Sequence, residues 1–307
     1  MIKTIWAMLV IVALPAAAGA MDPPELRTGI GYDYKSVADG VIGIEYALSI
    51  LTDEETYWGD AASLTGSGTS KDLMVANSLR FSYDFLNRVA LSAAIPYVYR
   101  KWEVAGYGGY DQSSSDIGDV SLDLKVQLTG DKSDAPVIQF LTAWHMPTGK
   151  SPYEIDPEKE TATGSGTHIV ELGFTFSKAM GKVMPYGRLA YLLTFEAENL
   201  DSQRYGDILT EVNPGDLFGG EVGLAGSVEK AVSVMAGIEY YYQFEDEYIY
   251  QYSGIQKNVE KKYATAKFGA GFSFGKVSVH PRFGFGITDD APDFFFQIRV
   301  PLYLATK

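Results

Sequence analysis

The chain has 307 residues, of which 46% are hydrophobic and 21% charged, and it contains no cysteine. That balance excludes a disordered chain, and a formal charge of −14 excludes a general nucleic-acid binder, which would be basic. With no disulfides available, an exported chain of this kind must be stabilised by other means.

The first twenty residues read as a signal peptide: Lys3 is the positive end, Ile5 to Ala13 form a short apolar run, and Ala18-Gly19-Ala20 is a small-residue cleavage site before Met21. No apolar stretch reaches the roughly 18–20 residues that a transmembrane helix needs. Residues 21–39, with the Thr28 to Lys35 stretch, are expected to form an N-terminal arm or a plug, and 40–307 the main body.

From residue 40 onward the dominant period is two. About twelve strands are predicted: 40–51, 71–84, 88–102, 118–129, 135–147, 167–178, 183–195, 217–228, 231–244, 261–273, 277–288 and 292–304. In the fourth, Val120, Leu122, Leu124, Val126 and Leu128 alternate with Ser121, Asp123, Lys125 and Gln127. In the ninth, Val232, Val234, Ala236, Ile238, Tyr240, Tyr242 and Phe244 lie opposite Ser233, Gly237, Glu239 and Gln243. The last segments repeat the pattern, with Phe268, Phe272 and Phe274 against Lys267 and Ser273, then Phe294, Phe296, Ile298, Val300, Leu302 and Leu304 against Gln297 and Arg299.

The connections alternate between short ones, such as Met180-Gly181-Lys182 and Val228-Glu229-Lys230, and long ones at about 52–70, 103–117, 148–166, 196–216 and 245–260. Short turns on one side and long loops on the other are the rhythm of an outer-membrane barrel. A soluble β-sandwich would show the same alternation. Its strands, however, average about 5–6 residues, whereas a tilted transmembrane strand needs about 9–11. Aromatic residues also gather at both strand ends: Tyr97, Tyr99, Trp102, Trp144, Tyr240, Tyr242 and Phe244 near the long loops, and Tyr83, Phe174, Phe176, Phe272, Phe274 and Tyr303 near the short turns. Two such belts match the two membrane interfaces. The expected fold is therefore all-β: a transmembrane antiparallel β-barrel of about twelve strands in the outer membrane of a Gram-negative bacterium.

Several short motifs carry a family resemblance. Ile117-Gly118-Asp119-Val120-Ser121-Leu122-Asp123-Leu124-Lys125 resembles the "GD-x-x-L-x-x-K" strand of the outer-membrane family of phenol-degradation meta-pathway transporters. Met146-Pro147-Thr148-Gly149-Lys150 followed by Gly164-Ser165-Gly166-Thr167 resembles its "PTG … GTGS" loop, with the serine and threonine in a different order. Ala94-Ile95-Pro96-Tyr97 and Pro292-Asp293-Phe294 resemble two further segments, and the C-terminal Tyr303-Leu304-Ala305-Thr306-Lys307 departs from barrels that end on an aromatic residue. The resemblance implies a barrel with a role in uptake of small, often hydrophobic or aromatic, compounds.

Function then has to sit in the lumen or the loops. Strand phase places Glu45, Arg80, Arg100, Asp123, Lys125, Gln139, His145, Glu171, Arg188, Glu221, Glu239, Lys267, His280, Arg282, Gln297 and Arg299 inside, with a slight basic excess. Rings of such charges are what a channel uses to select solutes, so passive passage of a small-molecule solute is the expected function. One alternative is a structural or surface-interaction barrel whose interior charges pair and close the pore. Another is an outer-membrane lipid hydrolase using the outward His168 with Ser165 or Ser151, but neither of these serines stands in a Gly-x-Ser-x-Gly elbow. No catalytic residue, cofactor or metal is expected. The acidic loops lack the spaced Asp-x-Asp-x-Asp-Gly pattern of a cation site, and the expected partners besides the solute are outer-membrane lipid and lipopolysaccharide.

Overall fold

The computed structural model describes residues 41–57, 68–85, 88–105, 110–129, 135–156, 159–204, 207–229, 231–274 and 277–305. The expected signal peptide and N-terminal arm lie outside them. Every element among the described residues is a strand: β1 (Val41–Tyr57), β2 (Gly68–Phe85), β3 (Val89–Ala105), β4 (Tyr110–Ile117), β5 (Val120–Gln127), β6 (Val137–Met146), β7 (Ile169–Ser177), β8 (Val183–Thr194), β9 (Ser202–Arg204), β10 (Asp207–Asn213), β11 (Leu217–Glu229), β12 (Val232–Gln243), β13 (Glu247–Tyr250), β14 (Gly254–Lys257), β15 (Lys261–Phe274), β16 (Val277–Gly286) and β17 (Phe294–Ala305).

Twelve of these close into an antiparallel barrel: β1–β3, β5–β8, β11, β12 and β15–β17. The seam is β17 against β1, paired from Val41↔Ala305 through Thr52↔Phe294. Closure leaves no strand edge in the wall, so backbone hydrogen bonds are satisfied within the chain, as lipid requires. The short side is well seen at Gly181, where a left-handed φ of 65° lets a two-residue turn reverse β7 into β8, with Met180 and Val183 exchanging backbone hydrogen bonds.

The outward phase is apolar and exposed, as in Leu79, Phe81 and Tyr83 on β2, Leu122 on β5, Phe174 on β7 and Val222 on β11. The inward phase is buried and carries the charged side chains of the wall. Trp102, expected in the outer aromatic belt, is instead inside and buried. It lies opposite Asp72 on β2, on the lumen side of the pleat.

Four of the long connections also prove to be at least partly strand-built. β1, β2 and β3 run 17, 18 and 17 residues, well beyond the ~9–11 that span a bilayer, so this ribbon continues past the membrane. β4 extends it, pairing with the far half of β3, while β5 takes the near half; the two are one strand interrupted at Gly118-Asp119. The connections at 196–216 and 245–260 build a separate four-stranded sheet, β14-β13-β10-β9. Tyr153, from the 148–166 connection, packs beneath it with Leu209, Val212, Tyr248 and Tyr250. Asp246 anchors the sheet, accepting from the Gly215 N–H at 2.8 Å and the Gln243 amide at 2.8 Å. Burial pushes its carboxyl above the usual carboxylate range against those hydrogen bonds.

Candidate functional site in the lumen

The charged side chains expected inside all project inward, and most meet an opposite charge. Arg299 grips Glu45 through two hydrogen bonds, 3.0 and 2.5 Å. Arg80 donates to Asp123 at 2.7 Å and to Ser92 at 3.1 Å. Arg188 binds Glu171. Lys267 reaches Glu239 at 2.7 Å and Glu221 at 3.6 Å, and Tyr186 donates to Glu221 at 2.9 Å. Gln139 accepts from Thr175, Gln297 donates to Ser49, and the His280 ring bonds Ser278. Lys125 sits between Ala90 and Leu141 in register. Arg282 joins Arg188, Lys267, Glu221 and Tyr186 around a cavity of about 30 Å³ that Met235, Phe295 and Gln297 also line, room for about two waters.

The expected basic excess is not what the interior holds. Asp72 and Asp119 are inward and buried as well. Asp72 takes both arms of Arg100 at 3.0 Å. Asp72 lies near the start of the predicted strand 71–84, and Asp119 lies in the break between β4 and β5.

Apolar side chains also occupy the inward phase. Toward the long-loop end Ile169, Ala190, Leu192, Leu217, Tyr241 and Tyr263 form one cluster. Toward the short-turn end Met184, Tyr186, Ala225 and Met235 form another. The paired charges of β8, β11, β12 and β15 lie between these two bands. In the sequence Ile169, Tyr241 and Tyr263 are apolar residues whose strand neighbours two away are polar.

The 148–166 connection folds into the barrel mouth rather than standing clear of it, and the short motifs of the sequence meet there. Asp119 accepts the Gly149 N–H at 3.1 Å and the Ser165 N–H at 2.6 Å. Thr148 donates to the Gly118 carbonyl at 2.8 Å and accepts from Val120. Thr163 donates to the Ile117 carbonyl, and Gly118 donates to the Pro96 carbonyl. Thr161 and Ala162 continue along the inner wall, the latter accepting from Arg100. Gly149 and Gly164 touch so closely that a Cβ on Gly149 would lie 2.7 Å from the Gly164 backbone. Gly149→Ala is therefore expected to prise the loop from the wall, read as faster tryptic cleavage at Lys150 and Lys159 of the folded protein; wild-type cleavage would refute the contact's importance.

The outward Ser–His pair of a lipid hydrolase does not form. The His168 ring accepts from Trp144 Nε1 at 3.1 Å, while Ser165 donates to the Thr167 carbonyl.

An apolar exterior around a charge-paired interior, closed on itself without a free strand edge, defines an outer-membrane β-barrel. The chain belongs to the family described as "Putative MetA-pathway of phenol degradation", which it matches over residues 61–302. In overall structure it is similar to an outer-membrane channel from Pseudomonas putida F1 (15% identity, TM-score 0.66, covering 92% of this chain and 100% of that one). It is also similar to the translocator domain of the autotransporter NalP from Neisseria meningitidis (11% identity, TM-score 0.56, 99% of both chains). At these identities the likeness concerns the fold.

Proposed function

We propose that the protein is a passive channel for small, largely uncharged solutes, hydrophobic or aromatic ones among them, and not an enzyme. The observation that carries this reading is the banded lumen: apolar clusters at Leu192 and Leu217 and at Met184 and Met235, with a layer of neutralised charge between. A solute with an apolar body and a polar group finds both kinds of surface along such a path, whereas an ion meets carboxylates and cations that are already matched. The family's description and the channel of similar fold from Pseudomonas support it.

Reconstituted into a planar bilayer, the protein is expected to give small conductance steps, and into liposomes to admit arabinose-sized solutes. Lys125→Gln with Arg282→Gln is expected to shift ion selectivity toward cations by a few-fold, since two inward cations are removed. Arg188 is left intact in this test because its loss would strand Glu171. No steps and no swelling would instead favour a closed structural barrel.

A further inference from the structure

The cavity beside Arg282 exists because its neighbours on the inner wall are glycines. In register Tyr186 pairs with Gly223, Gly223 with Gly237, Gly237 with Lys267 and Lys267 with Gly284, while Gly269 lies between Met235 and Arg282. The long side chains lean over these positions. A Cβ at Gly223 would lie 2.5 Å from the Tyr186 ring, and one at Gly269 would lie 2.9 Å from the Met235 side chain and 3.1 Å from that of Arg282. What they leave among them is the hollow of about 30 Å³, partly open on one side. It has room for a polar head of one or two heavy atoms, with the rest of a solute held outside against Met235 and Phe295.

We infer that this hollow is a docking recess for the carbonyl-type oxygen of an uncharged organic solute, such as a ketone or an ester. Its polar lining is mostly donors. The Arg188 and Arg282 guanidiniums and the Lys267 ammonium can only donate, and Gln297 adds an amide. The one carboxylate among the described lining residues, Glu221, already takes the Tyr186 hydroxyl at 2.9 Å and stands 3.6 Å from Lys267. An acceptor oxygen therefore suits the recess, whereas the proton of a hydroxyl would have to compete for Glu221. Charge settles the rest. Glu171 and Glu239 match Arg188 and Lys267 from outside the lining. With Glu221 and Arg282 the cluster holds three acids and three cations, so a neutral head keeps it balanced, while an anionic head would add a charge facing Glu221.

The inference rests on the channel reading, whose solute class it narrows, but fails separately from it. The chain has eight methionines, so ¹³C-methyl-methionine NMR of the full-length protein in detergent can follow Met235, with Met235→Leu giving the assignment. The probes are acetophenone, 1-phenylethanol, ethylbenzene and benzoate: one ring carrying a carbonyl, a hydroxyl, no oxygen or a carboxylate. Acetophenone is expected to move the Met235 signal saturably, 1-phenylethanol to bind several-fold more weakly, and the other two to leave the signal in place. Gly269→Ala, whose methyl group pushes the ends of Met235 and Arg282 into the hollow and removes no charge, is expected to weaken acetophenone binding about tenfold. Gly226→Ala, where a Cβ meets nothing nearer than the Lys182 carbonyl at 3.5 Å, is expected to bind as wild type. No response to acetophenone (water alone in the recess), equal or tighter binding of any other probe, or unchanged binding in a Gly269→Ala protein that keeps heat-modifiable migration would each overturn the proposal. The order of the four probes on the wild-type protein decides it even if that variant does not fold. Conductance without an acetophenone response would remove this recess alone and leave the channel standing.

Discussion

Asp119→Ala is expected to open the barrel mouth. The Asp119 carboxylate is the one acceptor shared by the Gly149 and Ser165 N–H groups, which belong to opposite ends of the infolded loop. Alanine leaves both buried donors unmet, at about 1–3 kcal/mol each. The loop's remaining ties include the Thr148, Thr161 and Thr163 hydroxyl–carbonyl bonds, the Val120 N–H to Thr148, the Thr161 N–H to Ser114 and a long Arg100 bond to the Ala162 carbonyl, and the neutral ones contribute about 1 kcal/mol each. The infolded state should therefore lose its advantage while the barrel ladder, which none of these bonds belongs to, stays closed. Single-channel conductance is expected to rise several-fold, and Lys150 to become quickly cleaved. Wild-type conductance together with wild-type proteolysis would show that Asp119 does not hold the mouth.

The second large effect concerns stability. Glu171 is 0% exposed and its charge is met by Arg188. Arg188→Met strands it, and a buried pair broken on one side costs about 3–5 kcal/mol. The double variant Arg188→Met with Glu171→Leu removes both charges and should recover most of that loss, because the Ile169, Leu192 and Leu217 cluster adjoins the pair. Urea unfolding in detergent, followed by loss of heat-modifiable migration, measures both. Similar stability in all three proteins would mean that the pair is hydrated in solution.

Much of the wall was legible because lipid imposes a strict phase. Val120 to Leu128 or Phe294 to Leu304 cannot be shifted by one residue without turning every charged side chain into hydrocarbon. That phase also put Glu45, Arg188 and Lys267 on the inner face. Which charges would pair was not legible: Arg80 reaches Asp123, 43 positions away, only because β2, β3 and β5 stand side by side at one stagger. The strands above the membrane were missed for a related reason. Tyr110–Ile117 reads Tyr-Asp-Gln-Ser-Ser-Ser-Asp-Ile; neither of its faces meets lipid, so it has no apolar phase to read. Glu247–Tyr250 and Gly254–Lys257 are four residues each, too short for a period to register. Trp102 misled because an aromatic residue near a strand end resembles a belt residue until its pleat is counted.

The ion pairs of the interior also bear on electrical behaviour. A unit charge moved through 100 mV exchanges about 2.3 kcal/mol with the field. Arg299–Glu45, Arg80–Asp123, Arg100–Asp72 and Arg188–Glu171 are dipoles of zero net charge. Any rearrangement that carries each pair as a unit moves no gating charge. The potential that fixed charge sets up across an outer membrane would then have no lever on these four pairs, and would act on the lumen through charges outside them, Lys125 and Arg282 among them.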